Sequence, residues 1–241
     1  MFLKICHLYP QQMSLYGDRG NIITLKYRAE QRNIKIEIQS CLIGEKIEQN
    51  TNFIMLGGGQ DADQEKILKD LHSRKLEIQD FILNGAVFLG ICGGYQLLGA
   101  YYETVNQKLE GLNLLNFFTE RAKKNEKRII GNVIAYNENF GELYGFENHG
   151  GRTFLQNNNL QALGKIISGG GNNASDLTEG VYSEQGAGLI IGTYLHSFLP
   201  KNYKVADHII TKALKINDLD LKEIDNNLEI KNRNFLKLKI K

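Results

Sequence analysis

The stretch that decides the fold is "FLGICGGYQLLGA", Phe88–Ala100, in which an apolar run ends at a cysteine between glycines. The run before Cys92 is typical of a buried strand, and the residues after it have the spacing of a helix. Gly90–Gly94 spell G-x-C-x-G, the thiol form of the nucleophile elbow, a sharp strand-to-helix turn that presents a reactive side chain. The same five residues also fit a small buried cysteine packed beside glycines, so the pentapeptide alone leaves both interpretations open.

Strands and helices alternate on both sides of this turn. Apolar runs predict strands at Leu3–Leu8, Ile34–Ile38, Phe53–Gly59, Ala86–Ile91 and Gly188–His196, and helical spacing predicts helices within residues 20–33, 61–71 and 203–216. This order predicts an α/β fold with a mostly parallel central sheet and helices on both faces. The middle region, from about Glu110 to Gly192, predicts antiparallel strands with long loops. One domain is expected over residues 1–217, followed by a C-terminal tail or docked helix over 218–241.

The composition limits the classes of protein that the chain can represent. Of its 241 residues, 42% are hydrophobic and 23% are charged, and the formal net charge of +2 is too balanced for a typical nucleic-acid binder. No apolar run approaches the ~20 residues of a transmembrane helix, so direct membrane insertion is not expected. The three cysteines are far apart and form no CxxC motif. The sequence therefore predicts no disulfide framework and no metal site, and it favours a reducing cytoplasm.

The predicted turn at Cys92 would suit a nucleophile. Reactive groups of parallel sheets gather beyond the carboxyl ends of the strands, where this turn and the "LGGG" loop at Leu56–Gly59 are both expected. A helix N-terminus favours the thiolate, and the backbone N–H of Gly93 can donate to an oxyanion. The glycine loop offers further N–H donors, although it also fits a plain turn. A phosphate loop is disfavoured because no G-K-[ST] follows.

A thiol nucleophile usually needs a base, and the chain has five histidines. His196 ends a predicted core strand, so it is expected at the same edge of the sheet as Cys92. His149, in the segment "FENHGG", is the second candidate. The other three lie in a predicted strand or on helix faces, where a structural or solvated role is expected.

The order of "LGGG", "GICGGYQLLG" and "GTYLH" resembles that of the class I glutamine amidotransferases, in particular their cobyric acid synthase-like branch. The segments "YGDRGNIITLKYRAEQRNI", "FENHGGRT" and "GTYLHSFLPKNY" carry a closer resemblance. They are similar to the glutaminase subunit of bacterial lipid II isoglutaminyl synthase, the GatD type. This resemblance runs along nearly the whole chain, to about Asp225, and implies a glutamine amidotransferase domain over residues 1–217.

Carried over residue by residue, the resemblance implies that Cys92 is the nucleophile and His196 the general base and acid. It also implies that Gly58 and Gly93 donate the oxyanion hydrogen bonds and that Arg128 binds the substrate. Arg128 equally fits a solvated surface, because it ends the basic run "RAKKNEKR". Its guanidinium is nevertheless well shaped to bind the α-carboxylate of glutamine through two hydrogen bonds.

One position departs from the wider class. Many class I members have a glutamate two residues after the histidine, and here that position is Phe198. The cobyric acid synthase-like branch also tolerates this loss. Glu179, Asp176 or a backbone carbonyl are the candidates for orienting the imidazole of His196.

The implied activity is hydrolysis of L-glutamine to glutamate and ammonia through a cysteine thioester. The chain has no ATP-binding motif, so no cofactor is expected in it, and ATP and magnesium are expected on a separate synthetase subunit. By resemblance this heterodimer partner is a Mur ligase-like protein of the MurT type, which amidates the D-glutamate α-carboxylate of lipid II in peptidoglycan synthesis. Three alternatives stay open: a stand-alone cysteine-dependent amide hydrolase, an amidotransferase subunit for another acceptor such as a cobyric acid-type corrinoid, and a non-catalytic binding subunit.

Overall fold

The computed structural model describes residues 1–156 and 160–239. The strands are β1 (Phe2–Leu8), β2 (Lys35–Cys41), β3 (Phe53–Leu56), β4 (Val87–Ile91), β5 (Tyr101–Glu103), β6 (Lys108–Glu110), β7 (Phe117–Arg121), β8 (Ile129–Asn137), β9 (Gly141–His149), β10 (Gly151–Leu155), β11 (Gly164–Ser168), β12 (Thr178–Glu179), β13 (Val181–Gln185) and β14 (Gly188–Thr193). The helices are α1 (Arg19–Glu30), α2 (Asp61–Ser73), α3 (Lys75–Leu83), α4 (Gly93–Gln96), α5 (Phe198–Lys201), α6 (Tyr203–Leu214) and α7 (Asn227–Lys239). None of the helices in these ranges is both long enough and apolar enough to cross a membrane.

The central sheet has the strand order β13-β14-β4-β3-β1-β2. All neighbouring pairs are parallel except β13 with β14, which closes one edge as an antiparallel hairpin. Strands β3, β4 and β14 are buried at every position, which explains why their sequences are apolar runs, ending in β14 at Thr193, instead of alternating. The predicted α/β fold with a mostly parallel central sheet is confirmed.

The middle region forms two smaller sheets, with the orders β10-β7-β5-β6 and β12-β11-β8-β9. Their pairs are antiparallel except β5 with β7, so the expectation of antiparallel strands there is confirmed. An isolated bridge between Phe146 and His196 joins strand β9 to the segment that follows β14. The second small sheet therefore lies against the carboxyl edge of the central sheet.

The segment after Cys92 differs from the sequence expectation. The helical spacing of "YQLLGAYY" predicts a helix, but α4 ends at Gln96 and Tyr101 already belongs to β5. The chain turns at Gly99, where an added Cβ would lie 2.5 Å from the ring of Phe117. The backbone N–H of Ala100 then donates to the carbonyl of Phe117. The prediction of a longer helix was wrong because this close tertiary contact overrides local periodicity.

The segment after α6 continues as a 3-10 turn at Asp218–Asp220 and then as α7. It is tied to the body by Arg28, whose fully buried guanidinium bonds Asp207 twice at 2.6 Å, Glu229 at 2.9 Å and Asn226 at 2.8 Å. The helix α7 is thus held by charged groups on its inner side. The proposed domain boundary at residue 217 stays a prediction, and residues 240–241 of the expected tail lie outside the described residues.

Replacing Arg28 with alanine should destabilise the protein and release the C-terminal segment. Glu229 would lose its buried cationic partner and Asp207 would keep only Arg32, and the loss of a buried partner costs about 3–5 kcal/mol in the free energy of unfolding. Urea denaturation measures this change, and limited proteolysis should show faster cleavage near residues 218–226. Lys26→Ala, which removes an exposed ion pair with Glu30, is the matched control and should change little. Equal effects of the two variants would contradict the conclusion that Arg28 holds the C-terminal segment in place.

Candidate active site

Cys92 lies on a strained turn between β4 and α4. Its backbone has φ 50° and ψ −105°, a combination that residues other than glycine rarely adopt. Its N–H donates to the carbonyl of Thr193 at 2.8 Å, which ties the turn to the end of the neighbouring strand β14. The side chain is 9% exposed and lines a cavity. This is the backbone geometry that the G-x-C-x-G pattern predicts.

His196 reaches the same edge of the sheet from β14. Its backbone N–H donates to the carbonyl of Phe146, and its side chain is 1% exposed. An added Cβ on Gly58 would lie 2.7 Å from His196 Cε1 and 3.5 Å from Cys92 Cβ, so the two side chains meet over this glycine. Only a residue without a side chain leaves room for both.

The imidazole of His196 is oriented by Asp18, a residue that the sequence reasoning did not single out. Nδ1 of His196 lies 3.1 Å and 3.2 Å from the two carboxylate oxygens of Asp18, which is fully buried. Because a carboxylate can only accept, Nδ1 carries the proton and Nε2 is the nitrogen available for chemistry. Nε2 is buried and has no hydrogen-bond partner among the described residues.

Glu179 and Asp176, two of the candidates for orienting His196, have other partners, and neither orients the imidazole. Glu179 accepts from Thr193 Oγ1 at 2.5 Å and from the N–H of Tyr194 at 2.9 Å. Asp176 accepts from the side chains of Asn173 and Thr178. The position after "HS" is filled by the buried Phe198, and the acid comes from the start of α1 instead.

Asp18 and Cys92 favour the charged form of His196. Burial opposes a charge on the imidazole, but the hydrogen bond to Asp18 and the attraction from the nearby Cys92 and Asp18 outweigh it and raise the pKa of His196 to about 10. At neutral pH the ring is therefore an imidazolium beside the thiol of Cys92. Such a neighbour stabilises a thiolate, the form of cysteine that attacks carbonyl carbon.

The glycine loop differs in detail from the expectation. The N–H of Gly58 donates to Asp18 Oδ2 at 2.8 Å, so it is already engaged and the assignment of Gly58 as an oxyanion donor is not supported. The N–H groups of Gly59 and Gly93 have no hydrogen-bond partner within residues 1–156 and 160–239. These two glycines are adjacent, since an added Cβ on Gly93 would lie 3.2 Å from the nitrogen of Gly59.

Cys92 and His196 open into a cavity of about 410 Å³, and Arg128 lies on its wall. The side chain of Arg128 is exposed, and its Nε and Nη2 donate to Asn148 Oδ1 at 2.5 Å and to the carbonyl of Asn148 at 2.8 Å. Asn148 in turn donates to the hydroxyl of Tyr16 at 2.9 Å. The structure therefore brings Arg128 to the same cavity as the cysteine and the histidine.

His149, the second candidate for the base, also lines the cavity but has a different environment. Its Nδ1 donates to the carbonyl of Gly151 at 3.0 Å, and its ring stacks on Tyr194 with 3.5 Å between centroids. Burial lowers the pKa of His149, although Glu147 opposes this effect. The ring of His149 is thus a neutral, packed group beside the cavity. The carboxylate that would orient a catalytic base, Asp18, contacts His196 and not His149.

The buried Cys92, His196 and Asp18 thus form a thiol nucleophile with an oriented base at the carboxyl edge of a mostly parallel sheet. Residues 4–203 match the CobB/CobQ-like glutamine amidotransferase domain, and the chain belongs to that family. The protein is therefore a glutamine-hydrolysing enzyme subunit, as the sequence predicts.

Relatives with described functions cover most of the chain. It is 39% identical over 239 residues to the "Lipid II isoglutaminyl synthase (glutamine-hydrolyzing) subunit GatD" of Staphylococcus aureus, covering 97% of this chain and 94% of the relative. The subunit of the same name from Streptococcus pneumoniae is 40% identical over 217 residues, covering 88% and 81%. A "Probable cobyric acid synthase" of Methanococcus maripaludis is 30% identical over 194 residues, covering 78% of this chain and 38% of the relative.

Solved structures show the same fold at low sequence identity. The structure of PurLQS from Thermotoga maritima has a TM-score of 0.56 and 18% identity, covering 81% of this chain and 88% of that one. A structure described as a glutamine amidotransferase has a TM-score of 0.57 and 14% identity, covering 86% and 98%. These likenesses concern the fold alone.

The Asp18→Asn variant should move the alkaline limb of the pH–rate profile for glutamine hydrolysis to lower pH. Asparagine keeps the shape of the side chain but removes the negative charge that stabilises the imidazolium, so the pKa of His196 should fall below about 10. Ammonia release measured across the alkaline range tests this. Asp176→Asn, which removes an exposed acid that does not contact His196, is the control and should leave the limb in place. An unchanged limb in Asp18→Asn would contradict the role given to this carboxylate.

Proposed function

We propose that this chain is the glutaminase subunit of a lipid II isoglutaminyl synthase in peptidoglycan synthesis. The observation that carries the proposal is the 39–40% identity, over most of the chain, to two subunits of that name. The Cys92–His196–Asp18 contacts supply the chemistry that such a subunit needs. Its reaction is the hydrolysis of L-glutamine to glutamate and ammonia, and the ammonia is passed to a synthetase.

The reaction begins with attack of the Cys92 thiolate on the side-chain amide carbon of glutamine. The imidazolium of His196 gives its Nε2 proton to the departing nitrogen, and ammonia leaves a γ-glutamyl thioester. The neutral imidazole then takes a proton from water as the water attacks the thioester. Collapse of that second tetrahedral intermediate gives glutamate and restores the thiolate–imidazolium pair.

The developing oxyanion would be held by the N–H groups of Gly59 and Gly93. Both are unengaged within the described residues, and they lie next to each other at the turn that carries Cys92. Each such donor contributes roughly 3–4 kcal/mol to the transition state in comparable enzymes. Gly58 contributes indirectly, because its bond to Asp18 fixes the loop from which the next N–H projects.

The synthetase would be a separate Mur ligase-like subunit of the MurT type, with ATP and magnesium bound to it. Amidation of a carboxylate needs activation, and no nucleotide-binding motif occurs in this sequence. The names of the two relatives describe subunits of a synthase, which supports a heterodimer. The acceptor would be the D-glutamate α-carboxylate of lipid II.

The alternative acceptor, a cobyric acid-type corrinoid, has weaker support. The chain spans only 38% of the cobyric acid synthase relatives from Methanococcus maripaludis, and identity to them is 29–30%. A stand-alone amide hydrolase would act without a partner. Measuring the turnover of glutamine and of other amides without the synthetase distinguishes it from the proposed subunit.

Cys92→Ala should abolish glutamate release from glutamine, by on the order of 10⁴-fold or more, because the nucleophile is lost. In complex with the synthetase, this variant should still support amidation when ammonium salt replaces glutamine. Cys41→Ala, which removes a buried cysteine on another strand, is the control and should retain activity. Glutamine turnover that survives in Cys92→Ala would overturn the mechanism, and full turnover of other amides without a synthetase would favour the stand-alone hydrolase.

Arg128→Ala should raise KM for glutamine roughly 10- to 100-fold with a smaller effect on kcat, since the guanidinium would bind the α-carboxylate and not the reacting amide. Steady-state kinetics of ammonia release give both parameters. Lys127→Ala removes the neighbouring exposed charge of the same basic run and should leave KM unchanged. If the two variants behave alike, Arg128 is a surface residue and not part of the glutamine site.

A further inference from the structure

The wall of the cavity carries one acidic side chain whose charge is unmatched. Asp18 faces His196 and the N–H of Gly58, so its charge is already used. Asp61 also lines the cavity, and no ion pair to it occurs among the described residues. Arg128, on the same cavity, likewise has no carboxylate partner within the described ranges and bonds only Asn148. The cavity therefore holds one unmatched anion and one unmatched cation.

The carboxylate of Asp61 is held in place on one side only. The hydroxyl of Tyr102, on β5, donates to Asp61 Oδ1 at 2.9 Å, and Tyr102 is 7% exposed. Oδ2 accepts no hydrogen bond from residues 1–156 or 160–239, so it is available to a ligand in the cavity. A side chain fixed through one oxygen, with the other oxygen open, is pre-organised to bind a cation.

Asp61 also lies close enough to Cys92 for one small substrate to reach both residues. It follows Gly59 by two residues, and two residues span at most about 7 Å of extended chain. Gly59 is adjacent to Gly93, which follows Cys92 directly. A small molecule whose amide carbon sits at Cys92 can therefore contact Asp61 with its far end.

Glutamine carries two opposite charges at the end remote from its amide, an α-carboxylate and an α-ammonium. We propose that Asp61 binds the α-ammonium group of glutamine, while Arg128 binds the α-carboxylate. This inference rests on the proposed function, in which glutamine is the substrate. Asp61 then makes the site selective for α-amino acid amides over amides that lack the amino group.

A comparison with Asp63 shows that Asp61 does more than an ordinary acid in the first turn of a helix. Both residues lie in the first turn of α2, where acids stabilise the helix dipole. Asp63 pairs with Lys66 at 2.9 Å and does not line the cavity. Asp61 instead bonds Tyr102 from another element and faces the cavity, so helix stabilisation alone does not account for its position.

The test compares L-glutamine with glutaramate, which has the same amide and carboxylate but no amino group, on the protein in complex with its synthetase. Asp61→Asn should lower kcat/KM for glutamine roughly 10- to 100-fold, mainly through KM, because a charge-assisted hydrogen bond is lost. For glutaramate kcat/KM should stay unchanged. Asp63→Asn is the matched control and should alter neither substrate, and Tyr102→Phe should give a smaller loss that is confined to glutamine.

An equal fall for both substrates would overturn the inference, since it would mean that Asp61 only supports the fold. An unchanged KM for glutamine in Asp61→Asn would overturn it as well. If the wild-type protein hydrolyses glutamine, either of these two results for Asp61→Asn leaves the proposed function unaffected. A wild type that releases no glutamate from glutamine would overturn both.

Discussion

The rest of the site depends on the hydrogen bond between the buried carboxylate of Asp18 and the imidazole of His196. The carboxylate accepts from His196 Nδ1 and from the N–H of Gly58, and it lies 3.4 Å from the nitrogen of Ser197. One side chain thus sets the tautomer of the base and fixes both the glycine loop and the segment after β14. Because Gly58 uses its N–H here, the next N–H along the loop, that of Gly59, is left facing Gly93.

Helix α1 links this arrangement to the C-terminal helices. It begins at Arg19, directly after Asp18, and Asn21 Oδ1 in its first turn accepts from the N–H of Leu199, three residues beyond His196. Further along the same helix, Arg28 holds Asp207 of α6 and Glu229 of α7. A shift of α1 would therefore disturb the base and the C-terminal helix together, because Asp18 precedes its first turn and the fully buried Arg28 lies in its last turn.

Much of the fold could be predicted from local sequence patterns. Strands β1, β3, β4 and β14 follow from apolar runs, and Cys92 follows from glycines at fixed offsets, because both signals lie within a few residues. Asp18 could not be found in this way. It lies 178 residues from His196, and an aspartate directly before a helix is typical of an N-cap, which suffices to explain it. In the structure its side chain makes no capping hydrogen bond and reaches the imidazole instead. The short α4 was missed for a similar reason, since Phe117 lies on a distant strand.

Glu179 and Asp18 are both buried carboxylates near the end of β14, and their surroundings explain why only one can serve the histidine. Glu179 has a hydroxyl and one N–H as donors but no cation, and burial raises its pKa to about 7 despite those bonds. A carboxyl that is readily neutral in its site gives little electrostatic support to a nearby positive charge. Asp18 faces an imidazole that can carry a positive charge, and it also accepts a hydrogen bond from the N–H of Gly58. Glu179 holds Thr193 and Tyr194, and the carbonyl of Thr193 holds the N–H of Cys92. One acid therefore supports the turn that presents the thiol, and the other supports the charge that activates it.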